Sequence, residues 1–197
     1  MPLHVPPAPA PALRSVLAAL GSPAAVHEAR TPGLRSVQGA VSAELPLPVH
    51  VLDQVVPHAG RSPRTGLAGW RFLIRSGERS VAAADTMLTA DGWAFSHFFE
   101  GPYVTSTERA LVQAESLTED YQPRLLSVPE LYMITLWLHG DTAADASGGT
   151  PAPADLLVPL APAPPGIAAH RPHRVADLLP VLTLRVTPAT PLLGSPA

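Results

Sequence analysis

All ten aromatic residues of this chain lie between Trp70 and Trp137, and its prolines avoid most of the same stretch. Of 25 prolines, 11 fall in residues 1–63, three in 64–150 and 11 in 151–197. Aromatic side chains carry the largest areas a core can bury, and proline interrupts both helix and sheet hydrogen bonding. The two distributions place a packed central domain at 64–160. A proline-rich N-terminal arm, 1–63, is expected before it, and a proline-rich C-terminal arm and tail, 161–197, after it.

A hydrophobic content of 46% with 15% charged residues suits one folded domain of 197 residues. The basic residues are all Arg, and the chain has no Lys, Asn or Cys. Without cysteine there are no disulfides, thiolate metal sites or cysteine nucleophiles. A net charge of −3 gives no general attraction to nucleic acid or to anionic membranes. No apolar run approaches the roughly 18 residues that cross a bilayer. The apolar stretch Val16 to Leu20 is short for an export signal, so the expected location is cytoplasmic.

In the N-terminal arm, PPAPAPA (6–12) reads as polyproline II, followed by a helix near 12–20 that stops at Gly21. Residues 34–41 and 49–56 each read as a strand. In the centre, WRFLIRS (70–76) alternates, with Trp70, Phe72 and Ile74 on one face and Arg71 and Arg75 on the other. Gly77-Glu78 supplies a two-residue hairpin turn, which pairs Ile74 with Val81, Phe72 with Ala83 and Trp70 with Asp85. A three-residue loop ending at Gly92 then sets Met87 against Phe95, Asp85 against His97 and Ala83 against Phe99. A two-residue Asp-Gly turn is the competing register. The first is chosen because it gathers the apolar residues on one face.

TSTERALVQAESLTEDY reads as a helix, with Thr105 and Glu108 at capping-box spacing. Strands are expected at 124–128 and 131–138, and an edge strand at 155–161 because Pro159 donates no ladder bond. The glycine-rich, acidic segment 139–150 reads as a mobile loop. In the C-terminal arm a short helix near 174–179 and a last strand are expected, then a disordered tail, 187–197. The fold class is α+β: a curved antiparallel sheet packed on one main helix, cone-like, between proline-rich arms.

Asp85 and His97 are the sharpest candidates for chemistry. A carboxylate beside an imidazole raises the His pKa and fixes its tautomer, as general acid–base catalysis requires. Trp70, Trp93 and Phe95 would wall a pocket around them. The plainer reading is a buried pair that fixes strand register. Arg71 and Arg75, with Arg61, Arg64 and Arg79, make a basic face suited to an anionic ligand or to solvent. His97 with Glu100, and His50 with Asp53 and His58, match no metal pattern, and His170 and His173 read as solvated loop. No phosphate loop, nucleophile elbow or zinc helix is present, so neither a metal nor a cofactor is expected. Two functions remain. The first is a non-catalytic binding or accessory protein contacting a protein partner, a small ligand or its own copies. The second is a small cofactor-independent enzyme using His97 and Asp85.

Overall fold

A computed structural model describes residues 2–28, 31–52 and 64–186. The elements run α1 (Ala10–Leu20), α2 (Pro23–Glu28), α3 (Pro32–Ser36), β1 (Ser42–Leu52), β2 (Thr65–Ser76), β3 (Arg79–Thr89), β4 (Gly92–Phe99) and α4 (Pro102–Ala114). After them come β5 (Gln122–Val128), β6 (Met133–His139), β7 (Leu156–Pro159), β8 (His173–Arg174) and α5 (Val175–Val186). The strands form one open sheet in the order β4-β3-β2-β1-β5-β6-β7-β8. Every neighbouring pair is antiparallel except β1 with β5. The protein is thus α+β, with a largely antiparallel sheet. Residues on both sides of 64–160 join it, β1 at its centre and β8 at one end.

One face of the sheet carries Leu47, Leu73, Ala83, Leu125, Leu136 and Val158, and α4 packs on it through Val104, Ala110, Leu111 and Ala114. Ala110, Ala114 and Ala83 keep that approach close, because none adds bulk beyond Cβ. The next residue along each strand points the other way, so Phe72, Ile74, Leu126, Trp137 and Leu157 line the opposite face. There α1 and α3 cover β2 to β4, and α5 covers β5 to β7. The chain is therefore three layers deep, and strand β2 is buried on both faces from Gly69 to Ile74.

Several elements differ from their expected form, each for a local reason. Residues 34–41 begin in α3 and do not form a strand; Pro32 at its start favours a helical turn. The strand expected at 49–56 runs instead as Ser42–Leu52, and 53–56 lie outside the described residues. Helix α4 starts at Pro102, so Thr105 is not its cap, and Glu108 accepts from Ser80 N–H and Oγ–H on β3. The helix near 174–179 continues to Val186 in place of a last strand. Val175, Leu178, Leu179 and Leu182 form its buried stripe, whose burial outweighs the bond lost at Pro180.

The hairpin registers explain which side chains share a face. Ser76 pairs with Arg79 around Gly77-Glu78, with Gly77 at φ 59°. An irregularity between Ile74 and Arg75 then sets Ile74 on Ala82, Phe72 on Ala84 and Arg71 on Asp85. The β3–β4 turn has two residues, pairing Thr89 with Gly92 and Met87 with Ala94. The extra residue comes later, at Ser96, and restores Asp85 to His97 and Ala83 to Phe99. Asp85 and His97 are cross-strand neighbours, but on the face of Arg71 and Leu73 and not on that of Trp70.

Candidate ligand cleft

A cleft of about 580 Å³ opens on the face opposite α4. Its floor is Leu67, Trp70 and Trp93 from β2 and β4. One wall is the N-terminal segment Pro6–Pro9, and the other is the loop Thr142–Ser147. The N-terminal segment is tied down rather than free. His4 N–H donates to Tyr121 O (2.8 Å), Tyr121 N–H donates to Pro2 O (2.7 Å), and Leu3 forms a parallel bridge with Tyr121. Pro6 is buried.

The loop expected to be mobile is held along its length by donors from three strands. From β5, Gln122 Nε2 donates to Thr142 O (3.2 Å) and Ala144 O (2.8 Å). Arg124 donates to Asp145 O (3.1 Å), Gly148 O (2.6 Å) and Gln122 Oε1 (2.7 Å). From β1, His50 Nε2 donates to Ala146 O (3.0 Å), and from β2, Thr65 Oγ donates to Gly149 O (2.6 Å). Arg124 is fully buried and stacks 4.9 Å from the Trp137 ring centroid. Its planar fork suits several fixed carbonyls at once. Burial lowers the pKa of its guanidinium from the ordinary value.

Asp155 closes the far end of that loop. Its carboxylate accepts from Trp137 Nε1 (2.8 Å), His139 Nδ1 (2.7 Å), Gly140 N (3.0 Å) and Ala152 N (2.9 Å). Burial acts to raise its pKa, yet these donors outweigh it and hold the carboxyl below its ordinary value. On the cleft floor Trp70 is the exception to this full pairing. Its indole N–H is buried and has no hydrogen-bond partner. Burying such a donor unpaired costs about 1–3 kcal/mol.

The residues expected to do chemistry are divided by the sheet. Trp70 and Trp93 do line one cleft, whereas Phe95 packs on Phe98 at 4.6 Å between ring centroids, within the cluster beneath α1. Asp85 gives both carboxylate oxygens to Arg71, from Nε at 2.8 Å and Nη2 at 2.9 Å. The Arg71 guanidinium also lies 4.5 Å from the Phe99 ring centroid. His97 is exposed, and its Nδ1 contacts Ser96 Oγ at 3.0 Å. Neighbours in register, Asp85 and His97 share no hydrogen bond among the described residues. Both oxygens of the carboxylate are engaged by Arg71, and neither orients the imidazole.

Arg71 is buried and paired, so it is not part of a solvated basic face. Arg75 donates to Glu78 O at 2.6 Å and lies 3.7 Å from Glu44 and 3.9 Å from Glu108. His170 is likewise not a solvated loop residue. Its Nε2 lies 3.1 Å from Ser106 Oγ, and Ser106 Oγ accepts from Ala161 N–H at 2.7 Å. Asp53 and His58 lie outside the described residues, and no cluster of three metal-ligating side chains occurs among the described ones. Compared with known protein families, curated proteins and solved structures, the chain matches none.

Sequence reasoning passed over Gln122, Arg124 and Asp155. One signal for the first two was there: Gln122 and Arg124 alternate onto the strand face that Leu126 and Val128 continue. Two large polar side chains on a buried face require acceptors, and the glycine-rich loop provides them.

Proposed function

We propose that this chain is a non-catalytic binding protein whose cleft takes a neutral, largely apolar ligand bearing a hydrogen-bond acceptor. The observation that carries this reading is Trp70, an aromatic floor residue with a buried, unpaired N–H beside an apolar cleft. The donors that hold the loop wall, Gln122, Arg124 and His50 Nε2, are already engaged, so an incoming carbonyl gains most at the Trp70 N–H, with a small shift of the N-terminal wall. The tethered loop and N-terminal segment keep the walls ordered, which lowers the entropy cost of binding. The enzyme reading has less support, since Asp85 is committed to Arg71 and His97 stands in solvent. Association with a partner, including further copies of the chain, belongs to the same proposal and is suggested by exposed apolar side chains away from the cleft.

Nile red is a suitable probe, being uncharged, apolar and a carbonyl acceptor. The expected result is saturable binding that Ala143→Trp abolishes by filling the cleft from an exposed wall position. Trp70→Phe, which removes the donor and keeps a ring, should weaken binding roughly tenfold, about one hydrogen bond's worth. Saturable binding that both variants leave intact would refute the cleft as the site, as would no binding at all.

A further inference from the structure

Strand β4, Gly92–Phe99, is the last strand at one end of the sheet, and among the described residues no strand pairs with its outer edge. The other end is short: β7 has four residues and β8 two, with α5 following at once. Among the described residues the sheet thus ends in a single long open edge strand. Such edges are ordinarily guarded by lysine, inward charge, proline or a bulge. GWAFSHFF contains no Lys, Arg, Asp, Glu or Pro. Its one guard is the bulge at Ser96, which leaves Gly92 to Phe95 as an uninterrupted run.

Apolar surface flanks that run. Leu88, across from Trp93, is 64% exposed, and Met87, across from Ala94, is 48% exposed. On the neighbouring helix α1, which packs on β4, Leu17 is 49% exposed. Pairing of backbone alone buries little, and a stable interface needs roughly 1,200 Å² in total, so these flanking side chains are the additional area.

We infer that β4 is a self-association edge, on which the β4 of a second copy adds antiparallel to make one sheet across two chains. This rests on the proposed self-association and names its surface. A second copy fits better than an unrelated charged segment for two reasons. A two-fold axis sets like strand against like strand, and an uncharged strand meets no like-charge repulsion there. With one long open edge strand among the described residues of each chain, the pairing closes as a dimer and does not propagate into a fibre.

The test is solution mass by light scattering at roughly 100 μM, a concentration at which micromolar association is populated. The wild type is expected at twice the monomer mass, and Ser96→Lys with His97→Lys, both at exposed positions, at the monomer mass with an unchanged circular dichroism spectrum. Should that variant fail to fold, Leu88→Glu at the exposed ledge replaces it, with the same expectation. A monomeric wild type would overturn both the edge and the proposed self-association. A dimer that survives the folded variants would leave self-association standing and overturn the β4 edge. Neither result bears on Nile red binding in the cleft.

Discussion

On β1, His50 is fully buried, with Nε2 on the Ala146 carbonyl and Nδ1 without a partner. Burial above all, aided by nearby Arg124 and His139, carries its pKa from 6.5 down to about 4. The unfolded chain therefore takes up a proton near pH 6.5 that the folded chain refuses until about pH 4. His50 contributes stability in full above pH 6.5, and that contribution is lost as pH falls toward 4, on the order of 3 kcal/mol in total. His170, whose pKa burial also lowers, adds to the same trend. Thermal midpoints are expected to fall between pH 7.5 and 5, and His50→Gln, which keeps a donor for Ala146 and does not titrate, to flatten most of that slope. An unchanged slope in the variant would show that His50 is already free to protonate in the folded chain. At this scale the sequence was readable only up to its irregularities. The pairing of Asp85 with His97 could be read from hairpin chemistry, but their face could not. The shift at Ile74/Arg75 turns the β3 residues by one position, so Asp85 meets Arg71 and Trp70 is left on the cleft side. A bulge of one residue inside an alternating strand leaves no mark in composition.

Among the elements, the segment between β6 and β7 departs furthest from its composition. Aspartate, glycine and small residues suggest mobility, but what orders the segment is its backbone carbonyls, which every sequence has. Their donors, His50, Thr65, Gln122 and Arg124, come from strands remote in sequence, so the match appears only once the sheet is assembled. Arg124 is the largest of these anchors, and Gly149, at φ 126° with Arg124 Nη1 close to where a Cβ would stand, leaves room for it. Limited proteolysis is expected to spare 141–149 in the wild type and to cut there in Arg124→Met, which keeps the bulk and removes the donors. Cleavage of the wild type at those residues would mean that the anchoring is not maintained in solution. Helices α1 and α4 were legible because an apolar stripe and a terminal glycine or proline mark them. The end of α5 was not, because VLTLRV has strand-like residue types and its helical state depends on Leu178, Leu179 and Leu182 packing under the sheet.

Across the whole molecule the order of elements occurs twice, although the sequence shows no repeat. Four antiparallel strands and a helix, β1 to β4 with α4, are followed by β5 to β8 with α5. The leading strands β1 and β5 lie side by side in parallel over three residue pairs, and the two helices take opposite faces. Pro46 and Pro48 deprive β1 of two donors, and further along β5's approach, Leu3 bridges to Tyr121. The cleft lies where these halves meet. Its floor comes from β2 and β4, one wall from the β6–β7 connection, and the other from the N-terminal segment at the junction. A seam between two packed units is a common place for a ligand site. The most direct test of that assignment is the indole N–H region of a nitrogen-15 correlation spectrum during Nile red titration. The chain has three tryptophans, so three cross-peaks report. The Trp70 peak is expected to move downfield and saturate as its N–H gains an acceptor, while that of Trp137, already bonded to Asp155, stays in place. A titration that saturates with the Trp70 peak unmoved would contradict the account.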